Sequence, residues 1–493
     1  MNKLLNAVKS DSIYTYTENG GLTYNTTQNA LEDLFGLGGS YRSRTDEDCI
    51  LLFKKAYAED ATLAMKCLFY IRDREAGLGE RRFFKVIIKW LAINYTAHME
   101  KNLQYIPLYG RYDDWYAFVD TPLETKMFNE MRKQLALDVD SKTPSLLAKW
   151  MKSINSSSKE TCALGAKTAK ALGMTAKQYR KTLSILRARI NVLEKLMSEN
   201  RWDEIEFDKI PSRAGFIYRN AFARHDVERA KAGVRTYEDF AKDSETKVNA
   251  DTLYPCDIVK KATYEHSSYD STTRCMINKY WDNLKDYFQK AVFNGVVVVD
   301  TSASMRGYSS EIAPIDVAIS LGMYCAKKCS PNSPFYGHYI SFSRTAKLIP
   351  VDGIDFVDKV QRIYNKNLCE NTNIFSVFKL ILQTAVNNYL TQEDMPKNIV
   401  IISDMEFDAC SYNHSKTVME NIVNDFHRAG YELPHLIYWN VDARQDNIPM
   451  RSQNGITFVS GYSPVIFEML LSGKTSRELI LDKLNSDRYK FIH

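Results

Sequence analysis

The densest oxygen chemistry in the chain is Asp300-Thr-Ser302-Ala-Ser304, which directly follows the four valines 296–299. A carboxylate and two hydroxyls at alternate positions of a tight loop can aim three oxygens at one point. That suits a hard divalent cation such as Mg2+, which takes oxygen ligands in octahedral geometry. Two more oxygen donors are Thr372, in the polar loop 365–373, and Asp404, which ends the apolar run 399–403. With three of the five donors neutral, the set is expected to hold Mg2+ or Mn2+ loosely and with several waters. Such a cation accepts one more anion, which an Asp or Glu of a protein partner would supply. The structural alternative is that Asp300 and Ser302 cap the segment after them and Asp404 ends a strand.

The second group of candidates is basic. Residues 142–191 hold 11 Lys and Arg against a single acid, Glu160. A helix over 176–190 buries Tyr179, Leu183, Leu186 and Ile190 as one stripe and leaves Lys177, Arg180, Lys181 and Arg187 on another, exposed side. Lys149 and Lys152 lie in the same stretch, and Arg213, Arg219 and Arg224 recur on the next expected helix. Such a face neutralises phosphates along an RNA backbone and releases counterions; the alternative is a solvated helix face.

The elements that must position these groups change character along the chain. The first 240 residues or so read as successive helices, among them 62–72, 80–92, 121–137, 176–190 and 214–224, joined by short turns. A polar connection covers about 241–275, and a helix over 276–293 follows. Beyond it, β-rich runs at 295–299, 335–343, 398–403, 435–441 and 456–460 alternate with amphipathic segments at 315–328, 356–364, 374–390, 416–429 and 464–471. That alternation predicts a doubly wound α/β domain over 276–493 with a mostly parallel, buried sheet, after an all-helical array over 1–275. Asp300 and Asp404 then fall at carboxyl ends of strands, where open α/β sheets bind ligands.

At 493 residues the chain exceeds what one hydrophobic core usually serves. Its hydrophobic share of 45% and charged share of 25% are those of a chain that folds around cores. No run approaches the roughly 20 apolar residues of a membrane span, and nine cysteines without paired spacing fit a reducing, cytoplasmic setting. The charge is uneven: residues 1–290 carry a net +7 and residues 291–493 a net −2. No His-Glu-x-x-His, Gly-x-Ser-x-Gly or phosphate-binding Gly-x-x-x-x-Gly-Lys-Ser/Thr motif occurs, so binding rather than catalysis is expected. Cys325 and Cys329, one helical turn apart without a second pair, read as buried thiols, and Trp90, Trp115 and Trp150 as core.

Together Asp300, Ser302, Ser304, Thr372 and Asp404 resemble the metal-ion-dependent adhesion site of von Willebrand factor A domains. The resemblance implies that Ser302 and Ser304 contact the metal directly, that Thr372 and Asp404 bind directly or through water, and that Asp300 holds the cluster. Glu370-Asn371 before Thr372 and Met405 after Asp404 depart from that family, where Gly is common at both places. In the helical half, Arg74-Glu-Ala-Gly-Leu-Gly-Glu-Arg-Arg82, Pro107-Leu-Tyr-Gly-Arg-Tyr-Asp-Asp-Trp115 and Leu147-Ala-Lys-Trp150 resemble Ro (TROVE-domain) ribonucleoproteins. In those proteins a ring of HEAT-like helices is closed by a von Willebrand A domain. Tyr179-Arg-Lys-Thr-Leu-Ser-Ile-Leu-Arg187, Ile210-Pro-Ser-Arg-Ala214, Tyr438-Trp-Asn-Val441 and Val459-Ser-Gly-Tyr-Ser463 are similar to the Ro-like branch found in bacteria, phages and plants. The resemblance implies binding of structured or misfolded non-coding RNA by the basic helices. A protein-interaction scaffold that uses the metal site without RNA is the other function the sequence allows.

Overall fold

The computed structural model describes residues 13–190, 193–264, 271–288, 293–306, 312–329, 331, 333, 335–342, 345–366, 372–409, 417–450, 455–470 and 476–493. Its first half is an array of helices, including Ala61–Arg72, Arg82–Asn94, Glu124–Asp140, Ala176–Arg189 and Ser212–Arg224. The second half is a six-stranded sheet with helices on both faces, a Rossmann-like arrangement. Ahead of both stands a short antiparallel hairpin, β1 (Tyr14–Tyr16) and β2 (Leu22–Tyr24).

The sheet runs β5-β4-β3-β6-β7-β8, with β3 Gly295–Asp300, β4 His338–Phe342, β5 Lys347–Pro350, β6 Asn398–Ser403, β7 His435–Asn440 and β8 Ile456–Ser460. All neighbours are parallel except the edge pair β4–β5. The valines of β3 are buried on both faces, as β-branched side chains in a covered parallel strand must be. The chain leaves β3 toward β4 on one side, while β6 lies on the other. The carboxyl ends of β3 and β6 therefore open the crevice where this topology places ligands.

The expected boundary at 275/276 falls inside the helix Ser271–Asp282, which ends 11 residues before the expected 293. The expected connection also contains a helix, Pro255–Tyr264, which packs on the sheet-domain helices Pro314–Lys328 and Phe356–Lys366, while Ser271–Asp282 packs on Phe356–Lys366. Arg274 seals that junction with two bonds of 2.7 Å to Asp355. The two halves are tied again at the end of the chain, where Arg488 makes a bidentate pair with Asp73 at 2.8 and 2.9 Å. Among the described residues no helix is long and apolar enough to cross a membrane.

One buried ion pair organises the helical half. Asp114 is fully buried and accepts from Arg72 Nε at 2.8 Å and from the Arg111 backbone N–H at 2.9 Å. Asp114→Ala strands the Arg72 guanidinium, itself only 3% exposed, without a counter-charge. The expected loss is about 3–5 kcal/mol of unfolding free energy, read from denaturant midpoints. A loss within experimental scatter would show the pair to be dispensable.

Candidate functional site

Register builds the oxygen cluster. Val299 pairs with Ile402, so Asp300 and Ser403 are the next residues along two adjacent strands. Asp300 is fully buried; its Oδ2 accepts from Ser403 Oγ at 2.5 Å and its Oδ1 from the Ser302 backbone N–H at 2.9 Å. The carboxylate thus closes the loop after β3. That loop presents Ser302 Oγ and Ser304 Oγ 3.0 Å apart. On its other side, Thr301 Oγ1 lies 3.0 Å from Ser341 Oγ of β4. Asp404 follows β6, and its Oδ1 accepts from the Glu406 N–H at 3.2 Å. Between them Met405 takes a left-handed φ of 65°, a conformation that costs a side-chain-bearing residue roughly 1–2 kcal/mol. This explains why Gly is common there in the family resembled. Thr372 is buried, and its carbonyl accepts from the Asp408 N–H at 2.9 Å. The neighbouring Asn373 caps the helix Ile374–Asn387. Glu370-Asn371 lies outside the described residues.

Burial and then the nearby charge of Asp404 raise the Asp300 carboxyl well above the ordinary carboxylate range. Glu406, also buried, is pushed up to about 7, first by burial, and its Oε1 has no hydrogen-bond partner among the described residues. The oxygens present, two carboxylates of the five donors plus three hydroxyls, fit a hard divalent cation by class. Among the described residues no three His, Cys, Asp or Glu side chains cluster as metal ligands. The hydroxyls are therefore indispensable to such a site.

Sequence reasoning missed what covers the cluster. The turn of the β1–β2 hairpin reaches across from the amino end: Asn19 Nδ2 stands 3.4 Å from Thr372 Oγ1 and 2.5 Å from the Glu406 carbonyl. The Glu18 N–H donates to Glu406 Oε2 at 2.7 Å. Arg444, after β7, bonds Asp404 Oδ2 at 2.8 Å and Glu18 Oε2 at 2.6 Å. No sequence signal marks Asn19 or Arg444, because Asn19 is placed by contacts across 353 and 387 residues of chain and Arg444 joins Asp404 to Glu18 of the distant hairpin.

The basic candidates divide. Lys177, Arg180 and Lys181 are exposed on the first two turns of the helix Ala176–Arg189, whose capping box pairs Thr175 with Gln178. Lys149, Arg180 and Arg187 line one cleft of about 630 Å³, with Tyr179 and Leu183 in its wall. Arg187 is not part of an exposed face, however. Its guanidinium donates to the carbonyls of Ala148 at 2.8 Å and Met151 at 2.9 Å and to Ser153 Oγ at 3.1 Å, fixing the segment that carries Lys149 and Lys152. Arg219 corrects the expectation more strongly: it is 5% exposed and donates to the Phe216 carbonyl at 2.9 Å. An amphipathic pattern marks the side opposite one core stripe but not whether another segment covers it. Arg213 and Arg224 are exposed, and Lys152 is engaged with Asp113 at 2.6 Å. Cys325 and Cys329 are buried, their thiols raised by desolvation. Trp115 is core, but Trp90 and Trp150 are only half-buried.

Residues 17–110 and 134–291 match a family model described as a domain of unknown function, DUF2828. Residues 294–488 match a second domain of unknown function, DUF7788. The chain is similar to uncharacterized protein L728 of Acanthamoeba polyphaga mimivirus, with 29% identity over 499 residues that cover 93% of this chain and 85% of that protein. Among solved structures it is similar to the Ro (RSR) protein of Deinococcus radiodurans, with a TM-score of 0.47 and 13% identity, covering 93% of this chain and 99% of that one.

Proposed function

The chain belongs to the family of the domain of unknown function DUF2828, a membership that names no activity, and we propose from its own side chains that it binds RNA through the basic helices, without catalysis. The observation that carries this reading is the placement of Lys177, Arg180 and Lys181. They crowd the first two turns of an exposed helix with no acid in its first turn, and Lys177 sits in that first turn, where the helix dipole disfavours a cation. A face kept only for solubility gains from acids there. A phosphate backbone gains from bases, and Arg180 and Lys149 also line the adjoining cleft, where Glu194 stands 4.0 Å from Lys149. Structured or misfolded non-coding RNA is the ligand class, and salt is the test. The affinity of the full chain for RNA is expected to fall steeply and log-linearly with ionic strength, and a flat response would remove phosphate contacts from the account.

The second part of the proposal is a divalent cation, Mg2+ or Mn2+, held by Ser302, Ser304, Thr372 and Asp404 with Asp300 behind them. When bound it supplies a positive centre for the carboxylate of a protein partner. Asp300 orients the serine loop through its two hydrogen bonds. Arg444 and Asn19 take up Asp404 and Thr372 from within the chain, and so compete with the ion. Arg444→Gln frees a buried carboxylate and is expected to tighten Mn2+ binding severalfold, measured by paramagnetic resonance of the free ion. An unchanged or weakened affinity would show that Arg444 does not compete.

A further inference from the structure

Two sequence motifs that the proposed function leaves unused, 74–82 and 107–115, meet around a pair of carboxylates. Asp113 is contacted by Lys152 at 2.6 Å, by Lys85 at 3.2 Å and by Arg81. Asp114 holds Arg72 at 2.7 Å, with Arg81 at 3.5 Å and Lys85 at 3.7 Å. Arg111 stands beside them with its guanidinium 4.7 Å above the Trp150 ring, and among the described residues no carboxylate pairs with it. Five cations thus share two acids.

The surroundings do not balance this excess. Lys85, Lys89, Trp90, Tyr116 and Lys152 line a cleft of about 560 Å³ beside the cluster. Of the other acids lining it, Asp46 is taken by Arg82 at 2.5 Å, which leaves Glu160. Burial and the neighbouring cations push Lys85 down to about 8 and Arg111 down to about 10. Five cations against two acids leave a local excess of positive charge that an anion would balance. The side chains remain reachable, with Arg81 44%, Lys85 30% and Lys152 26% exposed. The cleft also borders the proposed RNA surface, since the Tyr179 hydroxyl donates to the Lys152 carbonyl at 2.8 Å and the Lys152 N–H to the Tyr116 hydroxyl at 3.1 Å.

We propose that Arg81, Lys85, Arg111 and Lys152 form a binding site for a phosphate group, with Arg81 and Arg111 offering forked donors and the two lysines point charges. Its source is the backbone of an RNA strand, which rests on the RNA reading above, or a free phosphate.

The first test uses the unaltered protein. Acetylation of Lys85 by an amine-reactive reagent is followed by mass spectrometry, with the exposed Lys379 of the sheet domain as internal reference. Inorganic phosphate and an oligouridylate are each expected to protect Lys85 and not Lys379. In the second test, Lys85→Gln with Arg111→Gln is expected to weaken oligouridylate binding on the order of tenfold, with a salt slope shallower by about 2. Protection by phosphate with no oligouridylate binding supports the site with a free-phosphate source and removes a single RNA strand as its ligand, while the RNA reading is decided by the salt test. Oligouridylate binding that leaves Lys85 unprotected overturns the site while the RNA reading stands. Should the double variant fail to fold, the protection experiment decides alone.

Discussion

Reversing three charges, Lys177→Glu, Arg180→Glu and Lys181→Glu, is expected to lower RNA affinity on the order of a hundredfold or more and to leave the fold intact or slightly firmer. The two effects have one cause, charge at a helix amino terminus. Each side chain lost from a phosphate contact removes one released counterion, so the salt slope should become shallower by about 1 per residue. Against the dipole, Lys177→Glu replaces a disfavoured cation in the first turn by a favoured acid, worth about 0.3–1 kcal/mol at low ionic strength, while Arg180 and Lys181 lie beyond that turn. None of the three is buried, and the Thr175–Gln178 capping box is untouched. A variant that melts normally and binds RNA as the parent does would remove this helix from the interface. Arg187 is left out of the set because its loss would free the segment 148–153 and confuse position with contact.

Ser302→Ala is expected to weaken Mn2+ binding more than tenfold without moving the melting temperature of the metal-free protein. The serine hydroxyl lies 3.0 Å from Ser304 Oγ and also bonds the Asp300 carboxylate, which keeps its bonds from the Ser302 N–H and Ser403 Oγ when that hydroxyl is removed. Its value lies in the ion, since a site with three neutral donors has little to replace one of them. Asp300→Ala is a harsher change. It also orphans Ser403 Oγ and the Ser302 N–H, at a cost of about 1–3 kcal/mol for an unsatisfied buried group. Chelation should abolish any Mg2+-dependent association with a protein partner and leave the melting temperature unchanged. If the protein instead melts when Mg2+ is stripped, or if Ser302→Ala unfolds it, the cluster is structural.

The sheet was legible where its strands are apolar on both faces. The run 398–403 and the run 456–460 match β6 and β8 at both ends, and 295–299 misses β3 only by Asp300. The sequence read poorly where tertiary contacts decide. β5 has four residues and ends in proline, too short to show alternation. The β1–β2 hairpin has three residues per strand and is held by bridges from Gly20 to Asp408 and Tyr24 to Ile448. Pro255 looked like part of a connection, yet proline with its fixed φ is well placed at the first helical position, where it begins Pro255–Tyr264. The donors of the oxygen cluster could be named from their neighbours in sequence. Asn19, Glu406 and Arg444 could not, since nothing local in the sequence distinguishes them from ordinary surface polar residues, although Glu406 is buried.

RNA binding by the helical half is open to crosslinking in the native cell. The protein is irradiated in place, purified under denaturing conditions, and the attached RNA and crosslinked peptides are sequenced. Structured non-coding RNA is expected to be recovered, with crosslinks on peptides spanning 149–153 and 177–187 and near Lys85. An empty library, or crosslinks confined to the sheet domain, would contradict it.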